Sequence, residues 1–154
     1  MKKIFTKSNI IAILIIVLAT SLRIYHLPSR TNFNADQEWL ATRAQAIING
    51  DLALLGPITS VGGFSIGPYF IYLWAFIAVL LNGHPISGAI LSIVCGIATL
   101  VLYFLFIKKY INEKIAIIVT FLMAISVNYI VWDQNPWAPS IFFVAQIMLL
   151  YGAL

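Results

Sequence analysis

Four long apolar stretches dominate this chain and limit the folds that it can adopt. They lie at residues 10–27, 86–107, 115–132 and 138–154, and each approaches the roughly 20 residues that a helix needs to cross a bilayer. The chain is 62% hydrophobic and only 9% charged, whereas soluble domains carry about 25% charged residues. Because so much apolar surface exceeds what a core of this size can bury in water, we expect an all-α, polytopic transmembrane protein.

A fifth apolar stretch, residues 66–81, differs from the other four. It opens with Gly67-Pro68 and is rich in aromatic residues, which collect at the membrane–water interface. The lysines that bear on topology form two groups: Lys2, Lys3 and Lys7 before the first span, and Lys108, Lys109 and Lys114 after the second. Because lysines favour cytoplasmic loops, both groups face inward only if an even number of crossings separates them. We therefore predict a cytoplasmic N-terminus and an interfacial helix at 66–81.

The two ends of the chain each leave a question of processing. The first apolar stretch has a basic start and a weakly cleavage-like Ala19-Thr20-Ser21, as a secretory signal peptide has. The apolar run continues past this point with no clear small-residue site, so we favour a retained span. The last stretch has no basic flank or polar tail, so we expect the chain to be the N-terminal part of a longer protein.

Most of the polar residues lie between the first two spans, at residues 28–65. Pro28 is expected to end the first helix. Asn34 followed by Gln37 has the pattern of a capping box, which predicts a helix that runs to about Asn49 and stops at Gly50. One face of this helix is apolar, so residues 35–49 form a second predicted surface helix in the first outer loop.

Asp36 and Glu38 fall in the first turn of the predicted surface helix. The helix dipole favours the ionised form of both carboxylates, and an ionised carboxylate can accept a proton from a hydroxyl nucleophile. Alternatively, both residues only complement the dipole, which is the simpler interpretation for Glu38. Asp36 is therefore the candidate general base.

Several further polar residues are candidates for substrate binding or catalysis. Arg43 and Arg30 are suited to bind a phosphate or a partner carboxylate, or simply to reach toward lipid headgroups. Asp133 and Asn135 follow the third span, where Asp133 is either a site residue or an ordinary loop residue. Arg23 and His26 close the first span as expected interfacial anchors, and we assign them no role.

Other function classes lack the residues that they need. The basic residues form no stripe along one face, which argues against nucleic acid as a partner. His84 has no second histidine or cysteine at metal-ligand spacing, so no metal site is predicted. The glycine-rich stretch at 56–68 has no Gly-Lys-Ser/Thr and is not a nucleotide-binding loop. Cys95 is the single cysteine and cannot form an internal disulfide.

The order and spacing of three motifs resemble the N-terminal part of glycosyltransferase family 39, which includes protein O-mannosyltransferases and lipid A aminoarabinose transferases. The first motif is Phe33-Asn34-Ala35-Asp36-Gln37-Glu38, followed by Arg43 and Asp51. The second comprises Gly56-Pro57, Ser60, Gly62 and Gly67-Pro68-Tyr69 with Tyr72-Leu73. The third is Trp132-Asp133-Gln134-Asn135-Pro136 with Pro139. The resemblance covers nearly the whole chain.

The resemblance implies a C-type glycosyltransferase of the cell membrane with its active site on the outer face. Such an enzyme moves a sugar from a polyprenyl-phosphate carrier to a hydroxyl on an acceptor protein, lipid or glycan. Asp36 matches the family's catalytic base, and Asp133 lies near a second acid of some members. This chain has Asp-Gln-Glu where members commonly have Asp-Glu, so Glu38 is a displaced match. No cofactor beyond the lipid-linked sugar donor is implied, the need for a divalent metal is open, and the piece alone is expected to be inactive.

Two other functions remain open at this point. A transporter or lipid flippase fragment should hold polar residues near the bilayer midplane on broken helices, whereas the acids here lie at span ends. A membrane scaffold without catalytic activity predicts that Asp36 can be replaced with no effect.

Overall fold

The computed structural model describes residues 6–153, which form eight helices and no strand. This confirms the all-α prediction, and Lys2 and Lys3 lie outside the described residues. In chain order the helices are α1 (Lys7–Ile24), α2 (Leu27–Arg30), α3 (Ala35–Ile48), α4 (Tyr69–Leu80), α5 (Ser87–Tyr110), α6 (Glu113–Ile125), α7 (Val127–Asp133) and α8 (Ser140–Ala153).

Helix α1 ends earlier than predicted and for a different reason. Its last residue is Ile24, and His26 adopts the left-handed conformation with φ 52°. Pro28 does not end α1, as the sequence had suggested. It lies instead in the first turn of the short helix α2, where its missing N–H removes no helical hydrogen bond.

Helix α5 forms the centre of the bundle and contacts α1, α4, α6, α7 and α8. Near its C-terminus the Lys108 Nζ donates to Ser8 Oγ and Asn9 Oδ1, both at 2.7 Å, and lies 3.7 Å from a carboxylate oxygen of Glu113. These contacts gather the start of α1, the end of α5 and the start of α6, and we call this the lysine end of the bundle. Helices α1 and α6 therefore both run away from the lysine end.

The predicted third span, 115–132, is not one straight helix. Helices α6 and α7 meet at an angle of 62°, because Ser126 between them has extended backbone angles of φ −64° and ψ 119°. The segment contains neither proline nor glycine, the residues that most often mark such breaks. The sequence therefore gave no sign of the bend.

Within residues 6–153, two helices are long and apolar enough to cross a membrane, and the bent pair is a third if it counts as one span. The two are α1 and α5, and the pair is α6 with α7. Helix α8 has 14 described residues and α4 has 12, so they rise about 21 Å and about 18 Å, less than a hydrocarbon core of about 30 Å. The predicted fourth span at 138–154 thus falls short over the residues described.

Helices α3 and α4 pack against each other and form a unit beside α5. Leu40 and Ala44 of α3 are buried against Trp74 of α4 in one apolar cluster. Helix α4 begins at Tyr69 rather than at 66, because the backbone of Ile66 is hydrogen-bonded to Gly56 and Pro57 at the base of a loop. A Cβ atom at Gly56 would lie 2.7 Å from the Gly67 carbonyl oxygen, so this close approach requires glycine.

Candidate functional site

Residues 133–137, which begin with the last residue of α7, contact four other segments of the chain. We call Asp133-Gln134-Asn135-Pro136-Trp137 the junction loop. Its hydrogen-bonding partners belong to α1, to the segment between α2 and α3, to α3 and to α5. The loop therefore holds the polar segment at 28–65 against the helical bundle, at the end opposite the lysine end.

The strongest of these contacts is a buried ion pair between Arg23 and Asp133. Arg23 Nε donates to Asp133 Oδ2 at 2.7 Å, and the two residues are only 1% and 9% exposed. Arg23 Nη1 also donates to the carbonyl oxygens of Ala19 and Ala124, at 3.1 and 3.2 Å. Ala124 lies in the last turn of α6, where carbonyls lack helical donors, so the guanidinium satisfies an acceptor left by the bend. A second contact joins the same residues, because Gln134 Nε2 donates to the Arg23 carbonyl at 3.0 Å.

The surroundings of Asp133 leave little room for a substrate. Gly96 lies directly against the carboxylate, and a Cβ atom at this position would overlap it. The cavity beside Arg23 and Asp133 has a volume of about 10 Å³, which is room for about one water molecule. Asp133 thus differs from the open loop acid that the sequence suggested, and its predicted catalytic role stays a prediction without geometric support.

Arg23 is the residue that sequence reasoning missed. It was interpreted as an interfacial anchor, which is wrong, because its side chain is buried and paired. The signal was present in the sequence. Arginines near the end of an apolar span need a partner, and Asp133 was a carboxylate at the end of another span.

Asn135 and Gln37 connect the junction loop to the polar segment at 28–65. The Asn135 Oδ1 accepts from the Asn32 backbone N–H at 2.8 Å, while its Nδ2 donates to the Val131 carbonyl at 2.7 Å. Gln37, 2% exposed, donates from Nε2 to the Pro136 carbonyl at 3.2 Å. Both ends of the Asn135 amide are therefore engaged within the protein, which does not match the substrate-binding role predicted for it.

The capping box at the start of α3 is confirmed. Asn34 Oδ1 accepts from the Asp36 backbone N–H at 3.0 Å, and Gln37 Oε1 accepts from the Asn34 N–H at 3.1 Å. Gln37 thus fixes the helix start with one end of its amide and binds the junction loop with the other. The neighbouring Asp36 is held on a rigid turn as a consequence.

Asp36 and Glu38 are both exposed. Among residues 6–153, neither carboxylate has a hydrogen bond or an ion pair. The two predicted acids Asp36 and Asp133 therefore have opposite environments: one is open to solvent and free to bind, and the other is enclosed. They are linked only indirectly, through Gln37 and the junction loop.

The two candidate arginines already have partners of their own. The Arg43 Nη1 lies 3.7 Å from Asp51 Oδ2, with both side chains substantially exposed, so this pair contributes little stability. Arg30 lies over the Tyr25 ring, with its Cζ atom 5.3 Å from the ring centroid. Within the described part of the chain, neither arginine contacts Asp36.

Two further sources of functional information, metal-binding side chains and known relatives, are both negative, for the described residues and the chain respectively. Over the described residues, no group of three His, Cys, Asp or Glu side chains is arranged to hold a metal ion. His84 instead acts as a local cap, with its Nδ1 accepting from the Ile86 N–H at 3.2 Å. Comparison of the chain with protein-family models, curated proteins and solved structures gives no match.

Proposed function

We propose that this chain is the N-terminal part of a membrane glycosyltransferase that moves a sugar from a polyprenyl-phosphate carrier to an acceptor hydroxyl. The observation that carries the proposal is Asp36, an exposed carboxylate without a partner among residues 6–153, on a turn fixed by the Asn34–Gln37 capping box. A general base needs this combination of an accessible lone pair and a fixed position.

Sugar transfer from a polyprenyl phosphate requires a base for the acceptor hydroxyl and stabilisation of the charge on the leaving phosphate. The acceptor oxygen attacks the anomeric carbon, the bond from that carbon to the phosphate oxygen breaks, and Asp36 takes the acceptor proton. The polyprenyl phosphate departs as a stable anion, so no added acid is needed. Arg43 and Arg30 are the nearest cations of the outer segment in sequence and are assigned to the phosphate, whose charge rises as it leaves.

The membrane orientation is part of the same proposal. Lysines favour the cytoplasmic side, so the lysine end faces inward, and the junction loop and α3 face outward. Two hydrogen bonds that join the junction loop to Asn32 and Gln37 support this arrangement, because they require residues 32–37 and 133–137 to lie at the same end. The protein is then a multi-pass protein with α3 and α4 as interfacial helices on the outer face.

The contacts of the junction loop lead us to assign different roles to the other candidate residues. Asp133 and Asn135 are assigned as positioning residues, because their side chains are engaged with Arg23 and Asn32. Glu38 is an exposed carboxylate close to the base and is assigned no role in the transfer. Asp36 alone carries the catalytic assignment.

Replacement of Asp36 by asparagine in the full-length protein tests the proposal. We expect transfer from a labelled polyprenyl-phosphate sugar to fall by about 100-fold or more, the usual contribution of a general base. Glu38→Gln is the matched control, since it removes an exposed carboxylate from the same helix turn that has no ion-pair partner among residues 6–153, and it should retain activity. Full activity of Asp36→Asn would refute the assignment.

A lipid flippase or transporter is the second candidate, and one observation favours it. The buried Arg23–Asp133 pair lies beside the bent α6–α7 segment, and broken helices with buried charges are typical of transport proteins. The same full-length preparation distinguishes the two. Movement of the intact lipid-linked sugar between leaflets, with no sugar transferred in either the native protein or Asp36→Asn, would favour the transporter.

A further inference from the structure

An apolar groove runs along the outside of the bundle between α1 and α6. Its volume is about 480 Å³, and six of the side chains that line it are more than 40% exposed. They are Ile11, Leu14, Leu18, Ile118, Phe121 and Leu122. Because isoleucine, leucine and phenylalanine side chains lose favourable free energy when exposed to water, the groove requires an apolar occupant.

Each wall of the groove ends in a lysine, and both lysines lie at the lysine end. Lys7 precedes Ile11 by four residues, and Lys114 precedes Ile118 by the same spacing, so each lysine lies on the groove-lining face of its helix. Both lysines are exposed, and neither ammonium group has a hydrogen bond or ion pair within residues 6–153, although the Lys114 backbone N–H donates to Asn112 Oδ1. By contrast, the neighbouring Lys108 is engaged with Ser8 and Asn9.

Among the described residues of α1 and α6, the opposite end of the groove carries no charge. The helix positions that continue the two walls are Ser21 and Ile125, and Arg23 is turned inward to Asp133. The groove is therefore apolar along its length and positive at one end only. This distribution of charge matches a lipid, which has a single charged headgroup. Another membrane-spanning helix would need no charge at one end of the groove.

The dimensions agree with this interpretation. From Lys7 to Leu18 the helix rises by about 16 Å, which is close to the depth of one leaflet in a hydrocarbon core of about 30 Å. A phosphate at Lys7 and Lys114 would then lie at headgroup level, while an acyl chain that follows the groove reaches Leu18 near the bilayer midplane.

We propose that the α1–α6 groove is a binding site for an anionic phospholipid, with one acyl chain along the groove and the phosphate between Lys7 and Lys114. The site lies at the lysine end, away from Asp36 and the junction loop. It is therefore independent of the transferase chemistry proposed above, and the test needs no activity assay.

The test is titration of the detergent-purified chain with phosphatidylglycerol or phosphatidylcholine, read out by native mass spectrometry. Phosphatidylglycerol is expected to bind more tightly, and Lys7→Gln and Lys114→Gln should each weaken it about fivefold, the contribution of one lysine near an anionic lipid. Lys109→Gln is the matched control. It removes a lysine from the same end, but one whose Nζ lies over the Tyr110 ring at 4.4 Å from the centroid. It should leave the affinity within about twofold.

Three results would overturn the proposal. Equal losses in Lys109→Gln would show only a general attraction between anionic lipid and a basic end. Binding of soluble glycerol phosphate as tight as that of the lipid would show that the groove contributes nothing. A Leu14→Cys variant that forms disulfide-linked dimers, while the native chain with its buried Cys95 does not, would show that a second copy covers the groove.

Discussion

Arg23 and Asp133 form a buried ion pair at 2.7 Å although 110 positions separate them in the chain. Removing two charges from water costs several kcal/mol each, which the pair recovers only with good geometry and further hydrogen bonds. Arg23 meets this condition through Ala19 and Ala124. The pair therefore selects one arrangement of α1 against the α6–α7 bend and fixes the junction loop.

Breaking this pair from one side should be costly. We expect Asp133→Asn to lower the free energy of unfolding by about 3–5 kcal/mol, because the Arg23 charge would remain buried without a counter-charge. Thermal or denaturant unfolding of the purified protein measures the change. Glu38→Gln, which replaces an exposed acid without a partner in the described chain, should stay within about 0.5 kcal/mol.

A double-mutant cycle consists of Arg23→Met, Asp133→Leu and the two replacements together. The double replacement should cost less than either of these single replacements, since no unpaired charge is left in the interior. If the two single effects simply add, the residues are not coupled and the buried pair is not what stabilises this region.

Gly96 is expected to tolerate no side chain. In Gly96→Ala the new methyl group would overlap the Asp133 carboxylate, and the strain should cost about 1–3 kcal/mol. Gly152→Ala is a suitable control, since it also lies in a helix with no atom within 4 Å of the added Cβ, and alanine there should be neutral or stabilising. Equal unfolding temperatures for the two variants would contradict the close contact at Gly96.

The capping box should control how firmly the Asp36 turn is held. Asn34→Ala removes the acceptor for the Asp36 N–H, at a cost of about 1 kcal/mol, so exchange of that amide with deuterium should accelerate about fivefold. Gln45→Ala, at an exposed position near the other end of α3, should leave the Asp36 amide unchanged. An unaltered Asp36 exchange rate in Asn34→Ala would mean that another contact holds the turn.

The two ends of the bundle should lie on opposite sides of the membrane. A cysteine at Phe33, which is 46% exposed, and one at Ile111, which is 63% exposed, report the outer segment and the lysine end respectively. In sealed vesicles of native orientation, we expect an impermeant maleimide to label position 33 but not position 111 until the membrane is opened. Labelling of both positions from outside would refute the proposed orientation.

Local signals in the sequence predicted the bounds of α3. Asn34 with Gln37, and Gly50 with its left-handed φ of 96°, act within a few residues, so spacing alone located both ends of α3. The second hydrogen bond of Gln37, to Pro136, could not be predicted from local spacing, because it joins segments 99 positions apart.

The features that the sequence did not reveal are those set by tertiary contacts. No proline or glycine marks the bend at Ser126. The bend leaves the carbonyl of Ala124 without a helical donor, and Arg23 from another helix donates to it instead. For the same reason Asp133 was predicted to be an accessible acid, although its burial depends on Gly96 and α1. The role of a side chain whose partner lies about 100 residues away can be interpreted only in the assembled fold.

The long separation between Arg23 and Asp133 has a consequence for biosynthesis. A ribosome adds about 5–20 residues per second, so Arg23 waits about 5–20 seconds before its counter-charge is made. In the membrane orientation proposed above, the translocation machinery must hold during that time a helix whose arginine has no acidic partner yet. Insertion of α1 is therefore expected to become secure only after the junction loop has emerged, and the order of synthesis, as well as the final contacts, shapes the yield of this protein.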